Sequence, residues 1–66
     1  MYGKAFIAGP GWYFSRRAND YDGIYCLLAP VLGHDDAEDA ASWCELAAIG
    51  EVWVSGDGRV EIELVD

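Results

Sequence analysis

The sequence predicts a small α+β domain: an antiparallel sheet in the order β-β-β-α-β-β, with one helix packed on one face. Three observations predict it. Short β-prone runs alternate with clusters of Gly, Pro, Asn and Asp. One segment carries small apolar residues at helical spacing behind a capping signature. The C-terminal part holds two alternating runs around a Gly-rich turn. At 66 residues the chain is one domain, residues 1–66. A core of that size supplies only about 3–5 kcal/mol of net stability.

The elements follow in order. Tyr2 to Ala8 reads as a strand with Phe6 and Ile7 as its apolar content. Gly9-Pro10-Gly11 is a turn, because Pro fixes φ and Gly frees it. Trp12-Tyr13-Phe14 opens a second, aromatic strand that runs into Ser15-Arg16-Arg17. Ala18 to Gly23 is dense in turn formers. Ile24-Tyr25-Cys26-Leu27-Leu28 reads as a third strand, apolar on both faces and therefore central. Pro30 ends it, since Pro cannot donate to a ladder.

Asp35-x-x-Glu38 has capping-box chemistry and Gly50 suits a C′ position. Between them Ala37, Ala40, Ala41, Cys44, Ala47 and Ala48 form one helical face. Its small side chains let the helix lie close to a sheet, with Trp43 at the rim; Leu46 and Ile49 fall off the stripe. The final hairpin pairs Val54 with Val60 and Val52 with Ile62 across a Gly56-Asp57-Gly58 loop, with Gly58 left-handed. That register puts the four apolar residues on one face and Trp53, Glu61 and Glu63 on the other.

Twelve Asp and Glu face four Lys and Arg, for a net charge of −8. With 53% hydrophobic residues the chain is no disordered acidic tail. A nucleic-acid binder of the basic kind is excluded, because phosphates would be repelled. Anionic membrane surfaces are disfavoured for the same reason. No run reaches 18 apolar residues, and the N-terminal stretch lacks a signal-peptide core. The expected compartment is the cytoplasm, that of the host cell if the chain is phage-encoded. Cys26 and Cys44 are expected as reduced, buried thiols.

Catalytic chemistry is missing. His34 is the only histidine, and no serine stands in a motif it would activate. Gly9-Pro10-Gly11 is not followed by the Gly-Lys-Ser/Thr of a phosphate loop. Cys26, Cys44 and His34 lack zinc-ligand spacing. Asp20-x-Asp22-Gly23 resembles the middle of a calcium loop, but Ala18 and Ala29 stand where ligands are needed. No enzyme activity and no cofactor is expected.

Carboxylate placement remains. Asp35, Asp36, Glu38 and Asp39 put four acids in five residues, where capping and the helix dipole use one or two. Glu61 and Glu63 stand about 6.8 Å apart along a strand. That is of the order of the spacing of successive phosphates, which rise about 3.4 Å along the axis while winding around it. Asp20, Asp22, Glu45, Glu51 and Asp66 extend the set. Trp53, expected exposed, is a candidate interface anchor. Arg16-Arg17 is expected to pair internally with acids.

With the Asp35-Asp36-x-Glu38-Asp39 run, the Glu61-x-Glu63 pair and the Asp20-x-Asp22 pair, the chain resembles the small acidic inhibitors of phages and mobile elements: anti-CRISPR and antirestriction proteins that mimic DNA. The resemblance implies a stoichiometric inhibitor, monomer or dimer. It would fill the basic DNA channel of a CRISPR surveillance complex, type I first, or of another nuclease. The alternative is a protein-interaction or self-assembly module that pairs through a sheet edge or the Trp53 patch, with acidity serving only solubility. The discriminating property is whether the carboxylates share one face.

Overall fold

A computed structural model describes residues 2–66. Four strands and two helices follow in the order β1 (Lys4–Gly9), β2 (Trp12–Arg17), α1 (Tyr21–Leu32), α2 (His34–Leu46), β3 (Val52–Val54) and β4 (Glu61–Val65). The strands form one sheet in the order β2-β1-β4-β3, with every neighbouring pair antiparallel. The two helices carry the chain from β2 at one edge to β3 at the other.

The expected third strand is therefore a helix, and the expected order β-β-β-α-β-β with one helix is corrected to β-β-α-α-β-β. Ile24 and Leu28 are fully buried four residues apart, the spacing of one helical face. Asp20 starts the helix: its Oδ1 accepts from the Gly23 N–H at 3.1 Å. Pro30 lies within the last turn of α1 instead of ending a strand. It withholds one N–H where only Val31 and Leu32 remain to be wound.

Gly33 joins the helices as a single residue with φ +86°, which a side chain would strain. It also occupies the N-cap of α2 and supplies no side-chain cap. The expected Asp35–Glu38 capping box is thus not formed, and both residues lie inside the helix. Ala37, Ala40, Ala41 and Cys44 are buried as the spacing requires. The helix ends at Leu46, so Gly50 is not its C′ residue; Gly50 instead donates its N–H to the Leu64 carbonyl at 2.8 Å. Leu46 and Ile49, off the stripe, are exposed.

The core lies between helices and sheet. Ala5 and Ile7 of β1 and Ile62 and Leu64 of β4 meet Ile24, Leu28 and the small face of α2. Val60 is buried beside them, as its alternation with Ile62 and Leu64 predicts. Each large aliphatic side chain so buried contributes about 1.5–3 kcal/mol.

The β3–β4 register is one residue off the expected one. Val52 pairs with Glu63, Trp53 with Ile62 and Val54 with Glu61. Ser55 faces Val60, its N–H donating to the Val60 carbonyl at 2.9 Å and its Oγ accepting from the Val60 N–H at 3.1 Å. The loop is Gly56-Asp57-Gly58-Arg59, with Gly58 at φ +76° as expected. A one-residue slip exchanges the faces of a strand. Trp53 consequently turns to the helices, and Val52 and Val54 join Glu61 and Glu63 on the uncovered side.

Candidate functional site

All four residues of the acidic run are exposed on α2. They are not equivalent. Glu38 Oε2 lies 3.3 Å from His34 Nε2, and His34 Nδ1 lies 2.6 Å from the Tyr25 hydroxyl. A neutral imidazole with its proton on Nε2 satisfies both contacts, donating to Glu38 and accepting from Tyr25. The chain Tyr25–His34–Glu38 thus ties α1 to the first turns of α2. Asp39 Oδ2 accepts from Trp53 Nε1 at 3.3 Å, tying α2 to β3. Asp35 and Asp36 have no ion pair or hydrogen-bonded side chain among the described residues. They are the free carboxylates of the run.

The other predicted residues lie elsewhere. Asp20 and Asp22 stand at the start of α1, whose twelve residues put about 18 Å between them and Gly33. Glu61 and Glu63 alternate with the buried Ile62 and Leu64, so they leave the sheet on the side away from the helices. The predicted carboxylates therefore do not form one continuous face. Trp53 does not share a face with Glu61 and Glu63 as expected; it is half-buried against the core, with its N–H committed to Asp39.

The charges sort by layer. No Lys or Arg occurs between Ala18 and Gly58, a stretch that includes both helices. The helical layer thus presents Asp20, Asp22, Asp35, Asp36, Glu38, Asp39 and Glu45 with no Lys or Arg of its own; the one described cation bonded to it is Arg59, at the end of α1. The sheet's uncovered side is mixed. Lys4 and Arg17 are register partners there, with Glu61 and Glu63 in the next strand over. This juxtaposition was not read from the sequence. The signal available was the alternation of Lys4, Phe6 and Ala8 with Ala5 and Ile7, which places the first three on one face.

Among the described residues Arg16 and Arg17 do not pair with acids. The Arg16 guanidinium lies 5.6 Å from the Phe14 ring and donates to the Ser15 carbonyl, and Arg17 has no carboxylate within ion-pair distance. Arg59 is engaged at two of its guanidinium nitrogens. It donates to Asp57 through Nε at 2.7 Å and to the Val31 carbonyl at 3.1 Å, fastening the β3–β4 loop to the end of α1. Asp57 also accepts from the Ser55 hydroxyl and the Arg59 backbone N–H. These bonds, the Ser55 hydroxyl first, hold the Asp57 carboxyl well below the usual carboxylate range.

Both cysteines are free. Cys26 is exposed on α1, against the expectation that it lies buried on a central strand. Cys44 is buried, and burial pushes its thiol up to about 11, so it behaves as a small hydrophobe. Among the described residues no three His, Cys, Asp or Glu side chains converge as metal ligands. Among the described residues no helix is long and apolar enough to cross a membrane.

Comparison with protein-family models, curated proteins and solved structures found no match.

Proposed function

We propose that the chain is a non-catalytic, stoichiometric inhibitor whose acidic helical layer occupies a basic DNA-binding channel. The target class is a CRISPR surveillance complex, type I first, or another nuclease, and the place of action is the cytoplasm. One observation carries the reading: both helices lie in a stretch with no Lys or Arg, and their carboxylates are exposed along its surface. Helix positions three or four apart lie about 5–6 Å from one another, so Asp35, Asp36 and Asp39 present negative charge at a spacing of the order of neighbouring phosphates. Such a field steers encounter with a cationic groove and weakens as salt screens it. Glu61 and Glu63 lie on the opposite side and take no part in this surface.

The test is competition for such a target between the chain and a labelled DNA duplex. The wild type should displace the duplex. Asp35→Lys with Asp36→Lys should lose displacement by more than tenfold, because each reversal removes attraction and adds repulsion. Neither residue is a cap, so the cost to folding is limited to the dipole, about 0.3–1 kcal/mol each. Glu61→Lys with Glu63→Lys should lose far less. A folded Asp35→Lys/Asp36→Lys variant that competes as well as the wild type at about 150 mM salt sinks the reading.

A further inference from the structure

We infer that the uncovered face of the sheet joins two copies of the chain, each Lys4–Arg17 corner resting on the Glu61–Glu63 stripe of the other. Phe6 and Tyr13 stack at 5.6 Å between ring centroids, and Tyr13, Val52 and Val54 are about half exposed or more. No described element covers them: both helices lie on the other side, with the core between. Beside the two rings is a hollow of about 300 Å³, walled by Phe6, Ala8, Tyr13, Glu61, Glu63 and Val65.

An aromatic wall beside two carboxylates is a receptor for a cation on an aliphatic stem. The same face supplies such cations. Lys4 and Arg17 sit side by side on β1 and β2, exposed, with no carboxylate within ion-pair distance among the described residues. Their corner lies one strand over from β4, which carries the acids. A two-fold axis through the face sets corner over stripe twice, the isologous arrangement of a symmetric dimer.

Net charge opposes any contact between two copies at −8 each. This face is less acidic than the helical layer, because Lys4 and Arg17 answer Glu61 and Glu63, with Asp66 beside the Lys4–Arg17 corner as one further acid. Joining the sheets also sends both acidic helical layers outward, as far apart as the molecule allows. The area limits the affinity. Four strands of up to six residues span roughly 20 by 20 Å. That is about 400 Å² per copy, against about 800 Å² per partner in a standard stable interface. The dimer is therefore weak and concentration-dependent.

Sedimentation equilibrium of the wild type over a wide concentration range should show reversible dimerisation, with a dissociation constant above about 1 μM. Lys4→Glu with Arg17→Glu should abolish it, and so should Glu61→Lys with Glu63→Lys. Mixing the two reversed variants should restore a heterodimer. Zero-length carbodiimide cross-linking serves where a variant misfolds. Lys4 is the only lysine, so a mixture of isotopically heavy and light wild-type chains should yield heavy–light links from Lys4 to Glu61 or Glu63. A wild type that stays monomeric at millimolar concentration overturns the inference. So do reversed variants that self-associate like the wild type, or heavy–light links confined to the helical acids.

Discussion

Asp57 is the most heavily bonded carboxylate of the chain, and it holds a loop, not a ligand. It accepts from Ser55, from the Arg59 backbone and from the Arg59 side chain, and Arg59 in turn reaches the Val31 carbonyl. The folded state therefore favours the ionised form. A carboxyl lowered in this way contributes stability above its unfolded value, near 3.9, and the contribution is lost as pH falls through the folded value. The Asp57→Ala variant should melt below the wild type at pH 7, with a gap kept modest by exposure. That gap should narrow as pH drops below about 4. Melting curves at pH 7 and in that acid window decide it. An unchanged gap would mean that the charge of Asp57 does not hold the loop.

At the scale of elements, helix α1 shows how a local choice reverses a reading. Ile24 to Leu28 is β-prone and apolar, and nothing in the run itself declares a helix. The deciding residues lie before it: Asp20 caps, and Gly23 makes room for the cap. A Cβ on Gly23 would stand 2.2 Å from Asp20 Oδ2. Two opposing effects meet there. Ala is favoured over Gly inside a helix by about 1 kcal/mol. The cap is worth about 1 kcal/mol as well, and the added methyl evicts it. Gly23→Ala should therefore change stability by less than about 0.5 kcal/mol in the wild type. In an Asp20→Ala background the same substitution should stabilise by about 1 kcal/mol. Urea titrations of the four proteins give the coupling; strict additivity would deny the steric link between cap and glycine.

The sequence made β1, β2, β4 and the buried stripe of α2 legible: β1 and β2 by β-prone residues around a Gly-Pro-Gly turn, β4 and α2 by their period. The β3 face was not legible. Val52 and Val54 alternate as well as any strand, yet the register is set outside them, by Ser55 closing on Val60. Asp39 then receives the Trp53 N–H that the inward turn brings to it. The capping box failed for a related reason. His34, held by Tyr25, already belongs to the helix, which moves the cap back to Gly33.

For the molecule as a whole, the lopsided charge was plain in the composition, but its partition between layers was not. That partition depends on residues 24–28 being helical and on Glu61 and Glu63 pointing away from the helices. Once both hold, recognition and folding respond to salt with opposite signs. The acids of the helical layer repel one another within the native state, and no Lys or Arg of that stretch relieves them. Screening shortens the Debye length from about 10 Å at 0.1 M to about 3 Å at 1 M. The melting temperature at pH 7 should therefore rise as sodium chloride is raised through this range. Attraction to the proposed cationic partner would be screened by the same ions, so capture of that partner should fall over the same interval. Asp35→Asn with Asp36→Asn should flatten both curves, since it removes the two carboxylates of the acidic run that have no partner among the described residues. A melting temperature that falls with salt would mean that attractive pairs outweigh repulsion in the fold. Capture indifferent to salt, beside a melting temperature that rises, would leave the acids a role in solvation alone, with the sheet's uncovered face as the chain's contact surface.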